Sequence, residues 1–149
     1  MSESTEYSLS SPSGLLRYAE VQWFYARQMQ QLDLGKADSW AATFTEDAVF
    51  DVPTLPAPVR GRSALAAAVE GAHARLAEAG EQHRHVMGMI DVVERSDGSL
   101  DVRSYTTVYA STVGGTSRVH RVCVCEDLLV RVDGELRVAR RRVTRDDLA

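Results

Sequence analysis

Residues 22–50, QWFYARQMQQLDLGKADSWAATFTEDAVF, read as an amphipathic helix, a short second helix and a first strand. Apolar side chains recur at Val21, Tyr25, Met29 and Leu32, the three-to-four spacing that places them on one helical face. Gly35 stands where a helix C-terminus wants a residue tolerant of positive φ. Asp33 falls at the same end, beside the apolar face. The helix dipole favours cations there, so this carboxylate needs another justification, and a functional site is one candidate.

Downstream, Ala37 to Phe44 makes the short helix, with Asp38 or Ser39 able to cap it, and Ala48 to Val52 the first strand. The segment Pro53-Thr54-Leu55-Pro56-Ala57-Pro58 excludes helix, because its prolines remove donors and fix φ, and it reads as a loop over one mouth of the domain. Ser63 then caps an alanine-rich helix ending near Gly80. The second half is strand: His83–Arg95, Leu100–Thr112, Arg118–Val132 and Glu135–Thr144, with Asp133-Gly134 a strong two-residue hairpin signal. Helices followed by an antiparallel meander predict an α+β fold, a curved antiparallel sheet wrapped around N-terminal helices and enclosing a pocket. Upstream, residues 1–13 are polar and Ser-rich and read as a flexible tail; residues 14–149 form a single domain.

The formal charge of −4 gives no electrostatic reason to expect a nucleic-acid partner. No apolar run approaches the ~20 residues that cross a bilayer, and MSESTEYSLSSPSG lacks a basic region followed by an apolar one, so no membrane partner and a cytoplasmic location are expected. Cys123 and Cys125 share a strand face, too far apart to bridge easily, and read as reduced thiols. Both alternating sets of their strand are apolar: Val122, Val124 and Leu128 on one face, Cys123, Cys125 and Leu129 on the other. A sheet with one wet face alternates cleanly, so the outer face should be covered, most simply by a second copy in a homodimer.

Candidate chemistry begins at His83 and His85, which share a strand face with Met87 and Met89. An imidazole on the concave side of that sheet could act as a base near neutral pH; the alternative is a solvated histidine at a strand end. A metal held by His83, His85 and a carboxylate is not favoured, because no Cys–His spacing of a zinc site accompanies them. No glycine-rich phosphate loop and no Gly-x-Ser-x-Gly elbow occurs, so neither nucleotide binding nor serine hydrolysis is supported. In the last strand, alternation points Val138, Arg140 and Arg142 one way and Ala139, Arg141 and Val143 the other, with Arg140, Arg142 and Arg145 on a solvated face.

The stretches FYARQMQQLDLGKADSWAATFTEDAVF (24–50), PVRGRSAL (58–65), QHRHVMGM (82–89), DVRSYTTVY (101–109) and CEDLLVRVDGELRVARRRVTRDD (125–147) together resemble the SnoaL-like branch of the nuclear-transport-factor-2-like superfamily. More narrowly, the chain is similar to small cyclase/dehydratase-type proteins of actinomycete aromatic polyketide pathways. The resemblance implies a cystatin-like α+β barrel with a conical pocket, a homodimer, and cofactor-free proton transfer on a polycyclic or polyketide substrate: cyclisation, dehydration or isomerisation. It pairs a histidine at the start of the strand QHRHVMGM with an aspartate near the end of the first helix, which matches His85 as base and Asp33 as its partner.

It also places an arginine five residues after a bulky residue that follows the hairpin glycine, which makes Leu136 the marker and Arg141 the match. Arg141 could hold a substrate carboxylate or enolate oxygen, or pair with Asp127 or Asp33. Two departures stand out. The family's dehydratases carry a tyrosine where this chain has Gln28, and a second histidine on the strand where this chain offers Tyr105, Thr107 and Tyr109. Tyr25 could reach the pocket from one turn earlier or belong to the core. The candidate set is therefore His85 and Asp33 for catalysis, with Arg141, Gln28, Tyr25, Tyr109 and Cys125 contacting substrate and no metal. The alternatives are a non-catalytic metabolite-binding or accessory protein and, less favoured, a small subunit of a ring-hydroxylating oxygenase.

Overall fold

A computed structural model describes residues 4–6 and 12–148. Helix α1 (Pro12–Asp33) begins on a proline, whose missing N–H costs nothing in a first turn. It buries Val21, Tyr25, Gln28 and Met29. Its end is a Schellman closure: Gly35 N–H donates to the Leu32 carbonyl and Lys36 N–H to that of Gln31, both at 3.0 Å, with Gly35 at φ +71°. A Cβ on Gly35 would also lie 2.6 Å from the His73 ring, so the position excludes a side chain twice over.

Helix α2 (Ala37–Ala41) is shorter than the sequence suggests, because Phe44 already opens strand β2 (Phe44–Asp51). Neither Asp38 nor Ser39 caps α2: Lys36 occupies the N-cap, with no side-chain cap bond. Likewise Ser63 lies inside α3 (Arg62–Ala79), whose N-cap is Gly61; Gly80 closes it in the left-handed conformation. The two-residue strand β3 (Val59–Arg60) follows the proline loop.

Strands β4 (Glu81–Arg95), β5 (Leu100–Thr112), β6 (Ser117–Val132) and β7 (Glu135–Arg145) form the expected meander, and Asp133-Gly134 turns with both φ values positive. Among the described residues the sheet has seven strands in the order β1-β4-β5-β6-β7-β2-β3, where β1 is Ser4–Glu6. Part of the expected tail is thus an edge strand paired antiparallel to β4, and the helix starts ahead of residue 14; residues 1–3 and 7–11 of that stretch lie outside the described residues.

Two features depart from an antiparallel barrel. The sheet is curved but unclosed, with β1 and β3 at its edges, and β2 pairs parallel to β7. The helices fill the concave side, where Val21, Tyr25, Trp40, Phe44, Leu65, Leu129 and Val138 form the core.

Three single-residue bulges, each a strand with one more residue than its partner, decide which side chains face that core. In β4 the register shifts between Gly88 and Asp91, and Met89 sits at φ +51° and 78% exposed. Met89 therefore leaves the face it was expected to share with His85. In β6, His120 is the extra residue between Val119 and Arg121. In β7, Ala139 is the extra residue, so Val138 and Arg141 face inward together although three apart. The strict alternation expected for β7 fails at that point.

Candidate active site

Asp33 ends α1 and His85 lies near the start of β4, and the fold brings them together. Asp33 Oδ1 is 2.6 Å from His85 Nδ1, and His85 N–H donates to Oδ2 at 3.0 Å. Gln82 Nε2 ties the same junction by donating to the Asp33 carbonyl at 3.2 Å and the His83 carbonyl at 2.7 Å. The two donors from His85 answer the question raised by a carboxylate at a helix C-terminus. A carboxylate can only accept, so Nδ1 is the nitrogen that carries the hydrogen toward Asp33, and Nε2 is left facing away from it.

His85 lies on the wall shared by two adjoining chambers. The outer one, of about 450 Å³, runs between α3 and β4, with Leu55, Val69, Leu76, His83 and Arg121 among its lining residues. The inner one, of about 220 Å³, reaches into the sheet past Met87, Thr106, Val108, Cys123 and Cys125 to Arg141. Leu32, Trp40, Phe50 and Val52 line both. The proline loop contributes Leu55 to the outer chamber and Pro53 and Thr54 to the inner, as expected of a loop over the mouth. Beside the mouth, His83 and His120 stack at 4.8 Å between ring centroids. Burial lowers the pKa of both, reinforced for His83 by His120 and for His120 by Arg121.

Behind the inner chamber lies a buried polar network. Arg141 is bidentate on Asp127, Nε to Oδ1 and Nη2 to Oδ2 at 2.8 Å each, and Nη2 also donates to Gln28 Oε1 at 2.7 Å. Tyr25 Oη donates to Asp127 Oδ2 at 2.7 Å, Gln28 Nε2 to Thr43 Oγ1 at 2.7 Å, and Thr43 Oγ1 to the Trp40 carbonyl at 2.6 Å. Burial drives the Tyr25 phenol pKa well up, and the Asp127 charge adds to it, so Tyr25 is a neutral donor. Burial opposes the Arg141 charge most strongly, yet the charge and hydrogen bonds of Asp127 together with Cys125 and Tyr25 outweigh it, and the guanidinium stays protonated. Phe44, Phe50 and Tyr25 surround that cation at 5.4 to 5.9 Å.

Of the predicted residues, then, His85 and Asp33 meet as expected. Arg141 is both an ion pair and a chamber wall. Cys125 lines the inner chamber with its thiol 3.6 Å from Asp127 Oδ1; burial, then the Asp127 charge, raise its pKa and keep it a neutral thiol. Both cysteines are free. Three expectations need correcting. Tyr25 and Gln28 sit behind the chamber wall, Tyr25 bonded to Asp127 and Gln28 to Arg141, and Tyr109 is on the outer sheet face with Tyr105 because the inward set of β5 is Ser104, Thr106, Val108 and Ala110. Arg145, expected on a solvated face, lines the inner chamber while paired with Asp147 at 2.6 Å.

Sequence reasoning missed Arg121, Trp40 and Thr106. Arg121 belongs to the same inward alternating set as Cys123 and Cys125, and extending that set by one step would have found it. Among the described residues no three His, Cys, Asp or Glu side chains are placed to hold a metal, and no helix is long and apolar enough to cross a membrane.

A helix-packed curved sheet with a part-buried Asp–His pair opening onto an apolar cleft defines a small pocket protein of the α+β class. The chain belongs to the SnoaL-like domain family, whose model matches residues 13–142. It is similar to the structure of ActVI-ORFA from Streptomyces coelicolor, at 35% identity and a TM-score of 0.83 over 93% of this chain and 99% of that one. Aln2 from another Streptomyces strain is 36% identical, with a TM-score of 0.83 over 94% and 96%. A Catenulispora acidiphila protein in complex with S-DNPA is 38% identical, with a TM-score of 0.80 over 89% and 96%. No curated protein gives a significant sequence match.

Proposed function

We propose that this protein is a cytoplasmic tailoring enzyme of an aromatic polyketide pathway that moves a proton on a carbonyl-bearing polycyclic intermediate without a cofactor. The observation that carries the reading is the 2.6 Å Asp33–His85 pair on the wall shared by both chambers. His85 Nε2 takes a proton from the carbon next to a substrate carbonyl, and Asp33 stabilises the imidazolium that forms. The electron pair left on carbon delocalises onto the carbonyl oxygen. Returning the proton to another atom gives isomerisation; giving it to a departing hydroxyl gives water and a dehydrated product; attack of the carbanion on a second carbonyl gives a ring. The likeness to a protein solved in complex with S-DNPA supports a small molecule as the ligand. The chamber volumes suit a ligand of two or three rings.

The test is to incubate the protein and its His85→Ala variant with uncyclised and hydrated pathway intermediates and follow products by chromatography. Turnover falling by about 10²-fold or more in the variant is expected. Ligand binding without turnover, the same in both proteins, would sink the enzymatic reading. That second reading, a metabolite-binding or accessory protein, is favoured by Gln28 standing where the related dehydratases carry tyrosine, and by β5 offering Tyr105, Thr107 and Tyr109 where they carry a second histidine.

A homodimer belongs to the same proposal. On the outer sheet face Val86, Tyr105, Tyr109, Val119 and Val122 are all at least 40% exposed, and pairing sets Tyr109 beside Val119 and Thr107 between Val86 and Val122. Such a contiguous apolar patch marks an interface. Light scattering should give twice the chain mass for the native protein and the chain mass for Val122→Glu; a native monomer at micromolar concentration overturns it.

A further inference from the structure

Taking a proton from the carbon beside a carbonyl asks for two groups: a base for the carbon, and a donor for the oxygen on which the electron pair settles. The Asp33–His85 pair supplies the first. The phenols that could supply the second are placed elsewhere, since Tyr25 Oη donates to Asp127 and Tyr105 and Tyr109 stand on the outer sheet face. On the wall of the outer chamber, Gln82 Nε2 is committed to two backbone carbonyls, and Arg121 Nη2 to His120 Nε2 at 3.0 Å. The remaining polar side chain that β4 gives this wall is His83, two residues before His85 and on the same strand face.

The ring nitrogens of His83 make no hydrogen bond among the described residues, although the ring lines the chamber. Its centroid is 6.4 Å from that of His85 and the planes are inclined at 66°, so the two rings do not stack and a gap separates them. Such a gap takes a carbonyl oxygen and its neighbouring carbon, each about 3 Å from a ring nitrogen, the reach of a hydrogen bond or a proton transfer. Against His120 the spacing is 4.8 Å at 38°, a stack that holds the His83 ring in place. The guanidinium of Arg121 can only donate, so His120 Nε2 accepts and that ring is neutral. The two imidazoles of β4 therefore differ in company. Asp33 sits behind His85, whereas the carboxylate two residues before His83, Glu81, is taken by Arg118 at 2.6 Å. Burial, then His120, His85 and Arg121, hold the His83 pKa below the ordinary histidine value, which leaves a neutral ring with one N–H to offer.

We propose that His83 is a second catalytic residue, whose N–H holds the carbonyl oxygen of the substrate while His85 takes the proton from the neighbouring carbon. The C–H bond breaks, its proton goes to His85 Nε2, and its electron pair moves through the carbon framework onto the oxygen. His83 keeps its hydrogen throughout. Its bond to the oxygen strengthens as that oxygen becomes negative, so the stabilisation is larger in the transition state than in the bound ketone. This rests on the reading of the cleft as a site of proton transfer, and it orients the substrate there. His85 lines both chambers and His83 the outer one, so the reacting carbon stands where the chambers meet and the carbonyl points toward the mouth.

Isothermal titration with 2-naphthol, an aromatic enol, tests the oxygen contact without any chemical step. His83→Leu, a replacement suited to the apolar wall, should bind it about tenfold more weakly than the native protein. His83→Gln, which keeps an N–H, should stay within about threefold. Equal affinity in the native protein and His83→Leu, or no saturation of the native protein at millimolar concentration, overturns the proposal. Deuterium uptake from D2O beside the carbonyl of 2-tetralone, followed by proton NMR, then reads the chemistry. In His83→Leu kcat should fall by about 10²-fold or more with KM far less affected, and His83→Gln should recover most of the loss. A stack that only shapes the mouth would move KM and leave kcat in place, which overturns the catalytic role. If the native protein exchanges no deuterium, proton transfer fails as the reading of the cleft, while the titration still decides whether His83 holds the oxygen of the ligand.

Discussion

Asp33→Asn is expected to lower turnover by about 10³–10⁴-fold while leaving the fold in place, the size of effect a wrong imidazole tautomer produces in a hydrolase triad. The carboxylate accepts twice from His85, once from the backbone N–H at 3.0 Å and once from Nδ1 at 2.6 Å. A carboxamide can accept with only one of its ends. If its oxygen keeps the backbone N–H, its NH2 faces Nδ1 and forces that nitrogen to accept, which moves the ring hydrogen to Nε2. The base then points a hydrogen at the substrate instead of a lone pair, and the imidazolium loses its counter-charge. Nitrogen NMR of the His85 ring would read the tautomer directly alongside the rate. A variant that keeps turnover within tenfold would show that His85 does not serve as the base.

The second large effect concerns stability. Asp127→Ala should cost about 3–5 kcal/mol, because it strands a buried guanidinium. The side chains of Arg141 and Asp127 are 3% and 1% exposed, and Asp127 accepts from Tyr25 Oη and from two nitrogens of Arg141. In a domain of this length that is a drop of roughly 6–20 °C in melting temperature. Removing the two charges together, as Asp127→Leu with Arg141→Met, should restore most of it, since the pair as a whole contributes little net stability over packed apolar side chains. A single variant melting within 2 °C of the native protein would contradict the account. The double variant should also lose ligand affinity, because Arg141 then no longer faces the inner chamber.

Much of this could be read from residues 22–50 and the strand pattern. Helical spacing found the buried face of α1, the misplaced charge of Asp33 flagged the site, and alternation set His85 on one face with His83 and Met87 while the family resemblance paired it with Asp33. What failed, failed where local rules give way to register. Alternation is a count of two, and an extra residue at Met89 or Ala139 resets the count without leaving a clear mark in composition. Tyr109 went to the wrong side because nothing in YTTVYAST distinguishes its two faces; both carry threonine or tyrosine. Trp40 carried no signal in the sequence that separates a chamber wall from ordinary core, and it serves as both. Arg141 was found, but its partners were open to choice, since contacts 14 and 113 residues apart in the chain are set by tertiary packing.

The single helix α1 supplies Tyr25 and Gln28 to the buried arginine network and Asp33 to the dyad. A helix meters direction along with distance: each residue advances it by about 1.5 Å and turns it by about 100°. An insertion between Gln28 and Asp33 would therefore swing the aspartate a quarter turn from His85 while the glutamine stayed on Arg141. The proline loop and the hairpins can lengthen without that consequence. In this molecule the rigid gauge is α1, and the spacing of five residues along it sets the aim of the Asp33–His85 pair relative to the floor of the cleft.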